Sequence, residues 1–183
     1  MVLTDCKSIR NEKFIFFSSG CLFFICPSGK LLIDQQVRKG YETMKTITWE
    51  KLAELQREAA EKPRRRTNLN LHEELDDPIQ RLCIVGEPDT VFPVHRHLGK
   101  WELVTIIKGR ATLYIYDDNG SITRQLELAP GGDTIIVEIP QGVWHNYILH
   151  ESGTTFFEVK HGPYKPFSPE ELASFKGMTP DGK

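Results

Sequence analysis

Seven short runs rich in β-branched and aromatic residues, at 79–85, 101–107, 111–116, 122–128, 134–139, 143–149 and 154–160, follow one another with no helical pattern between them. Each has the length and composition of a strand. Turn chemistry separates several of them: Asp117-Asp118-Asn119-Gly120 reads as a hairpin, followed by Pro130-Gly131-Gly132-Asp133 and Pro140-Gln141-Gly142. Many short strands without intervening helices exclude a parallel α/β sheet. The expected class is all-β, a single antiparallel barrel or sandwich.

One helix precedes the strands. Thr48 is placed to cap it, Leu52, Leu55 and Ala59 share one face, Lys51 and the acidic residues from Glu54 to Glu58 share the other, and Pro63 ends it. The basic run Arg64-Arg65-Arg66 follows, then Asn68-Leu69-Asn70-Leu71-His72, whose alternation suggests an edge strand. The expected organisation is therefore an atypical extension over 1–43, a helix and basic arm over 44–78, the barrel over 79–167 and a tail over 168–183.

The extension admits two readings. Lys7, Arg10 and Lys13 precede an apolar stretch at 14–26 interrupted by Ser18, Ser19 and Gly20, which looks like a weak signal segment and is too short to span a bilayer. Alternatively Met44 is the true start: no steady hydrophobic period precedes it, and the codons for Lys39-Gly40 are necessarily purine-rich at about a ribosome-binding distance upstream. The second reading goes with a cytoplasmic protein, the first with secretion. Of the four cysteines, Cys6, Cys21, Cys26 and Cys83, none forms a CxxC pair, so neither a zinc knuckle nor a disulfide framework is expected. Cys83 reads as a small buried thiol on a strand.

Composition limits the partners. A chain of 183 residues suits one domain, and 26% charged residues with a net charge of −2 carry no cationic excess for nucleic acid. A small-molecule ligand is expected instead, with no nucleic acid and no membrane span. The chemistry concentrates in the turns. His95 and His97 are two apart, so on extended backbone their imidazoles face one side and can share a metal. Glu102 and Gly109 complete H-x-H-x4-E-x6-G, and far downstream P-x-G-x2-H ends at His145.

These two motifs resemble those of the cupin superfamily, in which a small antiparallel jelly-roll barrel presents three His and one Glu to one metal. The resemblance implies His95, His97, Glu102 and His145 as ligands. Two loops, 86–95 and 132–140, exceed the usual spacers, and Leu149 stands near the place of a supporting Asn. A narrower similarity runs through Asn68-Leu69-Asn70-Leu71-His72, Asp77-Pro78-Ile79-Gln80-Arg81, Lys100-Trp101-Glu102-Leu103, Gly142-Val143-Trp144-His145 and Glu158-Val159-Lys160-His161-Gly162-Pro163-Tyr164. These look like a WbuC-type cupin fold metalloprotein, a bacterial family associated with O-antigen and other surface-polysaccharide gene clusters. That resemblance implies a role in polysaccharide biosynthesis, and cupins often pair, so a homodimer is an expectation on the same basis.

Three imidazoles and a carboxylate suit a divalent transition metal, with Fe, Mn, Ni, Co and Zn all compatible, and leave positions for water or substrate. The ligand imidazoles must be neutral, so metal affinity is expected to weaken below about pH 6.5. Arg81, His72, Asn68, Asn70 and Gln80 form a possible polar wall for an anionic substrate group. Arg64 to Arg66 read as a solvated run, Trp101 and Trp144 as packing around the site, Glu138 as a surface charge or a partner of the site, and His150 and His161 as surface residues. Tyr114, Tyr116, Tyr147 and Phe156 read as core or surface aromatics. Two functional classes stay open: a metal-dependent enzyme such as an isomerase, epimerase or oxygenase acting on a small polar substrate, and a non-catalytic metal- or ligand-binding accessory protein.

Overall fold

The computed structural model describes residues 24–25, 31–32 and 44–179. The signal-like and upstream readings of 1–43 concern a segment that lies outside the described residues, except for one antiparallel pairing of β1 (Phe24–Ile25) with β2 (Leu31–Leu32). Two compact units divide the chain at Thr46 and Ile47, and the second contains the rest of the architecture.

Helix α1 (Trp49–Glu61) begins where expected, with the Thr48 hydroxyl accepting from the Lys51 N–H at 3.1 Å. Its apolar face, Leu52, Leu55 and Ala59, is buried, as the 3.6-residue spacing requires. Eight strands follow: β3 (Arg66–Asn70), β4 (Ile79–Gly86), β5 (Glu102–Lys108), β6 (Ala111–Tyr116), β7 (Ile122–Leu128), β8 (Ile136–Ile139), β9 (Trp144–Leu149) and β10 (Thr154–His161). They form an antiparallel jelly roll of two sheets, ordered β3-β4-β10-β5-β8 and β7-β6-β9. All seven expected runs are strands with ends moved by at most two residues, and the basic arm supplies the edge strand two residues earlier than the alternation suggested.

Period-two alternation divides each strand of the larger sheet between two environments. Val104, Ile106 and Phe156 point inward and pack with Ala111, Leu113, Tyr147 and Leu149 of the smaller sheet. Cys83 and Val85 point outward and are covered by Leu52 and Leu55 of α1. Burial pushes the Cys83 thiol up to about 11, so the residue is an inert core thiol. The chain crosses between sheets at Gly109, where φ is +78° and a side chain would strike Thr154. That requirement explains a glycine at this point of the first motif.

The third cluster, Val94, Tyr116 and Trp144, is covered by Ala173 and Phe175 of the C-terminal segment. This segment is pinned by backbone bonds from Ala173 N–H to the Val94 carbonyl and from Arg96 N–H to the Glu171 carbonyl. It therefore clamps the stretch that carries His95 and His97. Among the described residues no helix is long and apolar enough to cross a membrane.

Leu55 is 4% exposed and closes the outer cluster over Cys83 and Val85. Leu55→Ala should cost about 2–4 kcal/mol of unfolding free energy. Urea denaturation measures it; a loss below about 1 kcal/mol would show that α1 contributes little to the stability of the sheet it covers.

Candidate metal centre

His95 and His145 lie 50 positions apart in sequence yet meet through an isolated antiparallel bridge. The His95 N–H donates to the His145 carbonyl at 3.0 Å and the His145 N–H donates back at 2.9 Å. This pair of backbone bonds fixes the register, and the two rings stand 4.3 Å apart between centroids. Extended backbone carries His97 to the same side as His95, while Arg96 turns away and lies over the Trp144 ring. The Gly142 N–H ties the second motif to the His97 carbonyl at 2.9 Å, with Gly142 at φ +80°. Glu102 opens β5 on its inward face.

One donor atom from each of His95, His97, Glu102 and His145 lies within 4.8 Å of all the others, and all four residues are buried. The ring tautomers suit a metal. Nδ1 of His95 donates to the Pro93 carbonyl at 3.0 Å and Nδ1 of His145 donates to the Val143 carbonyl at 2.9 Å, so each Nε2 keeps its lone pair. His145 Nε2 is buried without a hydrogen-bond partner. Such an orphaned acceptor is costly in a protein interior and is what a metal ligand looks like before coordination. The cluster could bind a divalent metal.

The carboxylate at its centre is heavily supported. Glu102 is 2% exposed; its Oε2 is 2.7 Å from His97 Nε2, and its Oε1 accepts from the Tyr147 hydroxyl at 3.2 Å. Lys160, opposite it on β10, brings Nζ to 3.7 Å and pairs at 2.6 Å with Glu158. Burial would raise the Glu102 pKa, but the His97 hydrogen bond and the Lys160 charge outweigh it and hold the group ionised. Burial would likewise lower Lys160, yet the Glu158 and Glu102 carboxylates keep it raised and charged. Burial and the Glu102 charge push Tyr147 well above the usual phenol range, so its hydroxyl stays a donor. Phe167 covers the cluster from outside, its ring 4.6 Å from His95 and 5.7 Å from His97.

A cavity of about 320 Å³ opens beside the cluster between the sheets, with His95 and Glu102 in its wall. Four residues of the expected polar wall line it: Asn68, Asn70, His72 and Gln80. Arg81 does not. It alternates with Gln80 and Leu82 on β4, so its side chain leaves the cavity and pairs with Asp77 at 3.6 Å in solvent. The basic run is also divided otherwise than a solvated stretch would be: Arg65 pairs with Asp89 outside, whereas Arg64 and half-buried Arg66 line the cavity.

Trp144 packs in the third cluster and donates to Asp118, Glu138 is exposed, and His161 is exposed against the Trp101 ring. His150 departs from the surface reading: it is half-buried and its Nε2 lies 2.6 Å from the Thr112 hydroxyl. Tyr116 is a buried donor to Asn146 at 2.8 Å, and Phe156 belongs to the core. Tyr147, expected as a core or surface aromatic, is a buried donor to Glu102, and the sequence assigns no role to Lys160, Glu158 or Phe167. Alternation along 154–160 does place Phe156, Glu158 and Lys160 on one face.

A family model described as a domain of unknown function, DUF6016, matches residues 47–128. Curated proteins gave no match. Similar solved structures include KdgF from Halomonas sp., at 14% identity over 55% of this chain and 81% of that chain with a TM-score of 0.44. A cupin superfamily protein from Desulfitobacterium hafniense aligns at 14% identity over 52% and 76%, with a TM-score of 0.41. A sugar phosphate isomerase from a cupin superfamily of Silicibacter pomeroyi aligns at 21% identity over 54% and 60%, with a TM-score of 0.42. The last two of these neighbours are described as cupin superfamily proteins.

Burial, reinforced by the His145 ring, lowers the His95 pKa from 6.5 to about 3, and burial lowers that of His145. At His95 protons therefore compete only well below pH 6.5, which revises the onset expected from free imidazole at that ring. For stability the sign follows from linkage: between about pH 6.5 and 3 the unfolded chain binds a proton at His95 that the folded chain does not, so acidification destabilises the fold. In chelator-treated protein, unfolding free energy should fall from pH 6.5 to 5 more steeply in wild type than in His95→Asn. Parallel curves would contradict the assigned burial of this ring.

Proposed function

We propose that His95, His97, Glu102 and His145 hold one divalent transition-metal ion, and that the chain is a metal-dependent enzyme acting on a small polar molecule such as a sugar or sugar-nucleotide. The observation that carries this reading is the convergence of four buried donors, one of them an orphaned imidazole nitrogen, at the wall of a cavity. A bound ion supplies a Lewis acid that polarises a substrate carbonyl or hydroxyl oxygen. The chain's own groups do the rest. Lys160 and Tyr147 orient Glu102 and keep it anionic, Phe167 excludes water from the outer side, and Asn68, Asn70, His72 and Gln80 offer hydrogen-bonding groups to the substrate. Glu158, which shares the cavity wall, is a carboxylate placed to exchange a proton with a bound molecule.

The cavity favours turnover over a purely structural ion, because a closed coordination shell needs no adjoining space. On the motif resemblance the protein is a WbuC-type cupin serving bacterial O-antigen or related surface-polysaccharide biosynthesis, with the barrel over 79–167 as its functional part. The non-catalytic accessory reading predicts the same metal without turnover.

Elemental analysis of protein purified without chelator or nickel affinity tests the centre. About one transition-metal ion per chain is expected in wild type and well under half of that in His97→Ala, since loss of a ligand or its support costs about tenfold or more in affinity. Equal, substoichiometric metal in both would contradict the centre. Affinity measured from pH 7.5 to 5.5 should fall with a slope of log K against pH no steeper than about two, because the His95 imidazole is already neutral. A slope approaching three would show three competing protons and overturn the assigned environments.

A further inference from the structure

The cations of the cavity are unevenly matched. Lys160 is committed to Glu158 and Glu102 at its floor. Arg64 and Arg66 line the same cavity, and neither has a carboxylate partner among the described residues. Arg66 is held by neutral groups: it donates to the Val91 carbonyl at 2.7 Å and the Thr90 hydroxyl at 3.1 Å, and its guanidinium lies 4.5 Å over the Phe92 ring. These contacts fix its direction and leave its charge uncompensated. Three cationic side chains thus face two carboxylates, and a divalent ion would widen the excess.

A second observation comes from His72, which is 4% exposed. The Arg81 N–H donates to its Nδ1 at 3.0 Å, and the Arg81 carbonyl already accepts from the Leu71 N–H at 2.8 Å. Nδ1 is also 3.0 Å from the Arg81 carbonyl oxygen, which has a second lone pair, so the Arg81 main chain satisfies Nδ1 in either tautomer; when Nδ1 accepts from the N–H, the ring hydrogen sits on Nε2. That Nε2 is buried, has no partner in the protein and belongs to a ring lining the cavity. A buried ring nitrogen left without a partner is unfavourable, and a ligand oxygen would satisfy it.

Size narrows the ligand further. The cavity of about 320 Å³ lies at the small end of the range of about 300–1,000 Å³ usual for small-molecule sites. That suits a single sugar or short hydroxy acid better than a nucleotide sugar, which exceeds this volume. The amides are disposed for such a ligand. Asn68 donates to the Asn70 carbonyl oxygen at 2.7 Å, leaving the Asn70 NH₂ available, while Gln80 spends its NH₂ on the Leu75 and Asp77 carbonyls and presents an acceptor.

We propose that the substrate is a monosaccharide-sized polyol or hydroxy-carbonyl compound bearing one anionic group, carboxylate or phosphate, which Arg66, Arg64 and His72 grip while its oxygens reach the metal cluster across the cavity. This deepens the metal reading and rests on it. The anionic group takes the free charge of Arg66 and accepts a charge-assisted bond from His72 Nε2; a neutral polyol of equal size leaves that charge unmet and offers Nε2 only the weaker neutral hydrogen bond.

The test is calorimetric binding to the full-length chain loaded with Mn²⁺, using gluconate, glucose 6-phosphate, neutral sorbitol and UDP-glucose. At least one of the two small anions should bind about tenfold or more tighter than sorbitol, the size of a charge-assisted hydrogen bond. Which of the two binds better distinguishes a carboxylate from a phosphate ligand. UDP-glucose should not compete. His72→Asn keeps a polar group for the Arg81 main chain and removes Nε2; Arg66→Met keeps an unbranched apolar chain and removes the charge. Each should shrink the preference to within about threefold while metal content stays that of wild type. Arg64→Gln, at an exposed position, replaces Arg66→Met if that variant does not fold.

No preference for either anion over sorbitol, a preference retained in both variants, or effective competition by UDP-glucose would overturn the proposal and leave the metal centre standing. A chain that takes up no metal overturns the centre instead. Inorganic phosphate then decides the anion site alone: binding that weakens in the variants supports it, and its absence refutes it.

Discussion

A carboxylate 2% exposed between two β-sheets is the constraint around which this molecule is organised. Glu102 in such a place carries a desolvation penalty of several kcal/mol unless charge and hydrogen bonds meet it, and two facing strands and one loop contribute. β10 brings Lys160, β9 brings Tyr147, and the stretch ahead of β5 returns His97 to 2.7 Å. The inward face that elsewhere holds Val104 and Ile106 thus becomes polar at one end of the strand only. The jelly roll separates an apolar half, which stabilises it, from a polar half, which carries the candidate metal centre.

The converging donors depend equally on backbone. Two reciprocal hydrogen bonds between His95 and His145 join the motifs, and the C-terminal segment holds the His95 stretch from the other side through Val94 and Arg96. The ring nitrogens are aimed by carbonyl groups of Pro93 and Val143, two residues before each His, so the tautomer is set by local extended backbone. The result is a site whose geometry exists before any ligand arrives, the preorganisation on which a metal centre relies.

Much of this was legible in the residues. The strands followed from β-branched runs and turn chemistry, the helix from its Thr48 cap and Pro63 stop, and the two His/Glu motifs pointed to one cluster. What escaped depends on pairing. Lys160 matters because register sets it opposite Glu102, and Tyr147 because β9 faces β5 across the barrel; neither relation is local in sequence. Arg81 and Arg66 exchanged expected roles for a simpler reason. Alternation assigns faces relative to neighbours, but which face is the cavity was decided by α1, which covers Cys83 and Val85 and so sends Arg81 outward with them. Phe167 lies in irregular chain, where no period predicts a contact.

The most direct measurement is X-ray absorption at the metal edge of the loaded full-length chain. Three imidazole rings and one carboxylate should appear as a shell of N and O donors at about 2.1 Å with the outer-shell scattering of three histidines. A sulfur shell near about 2.3 Å, or oxygen donors with at most one imidazole, would contradict the account.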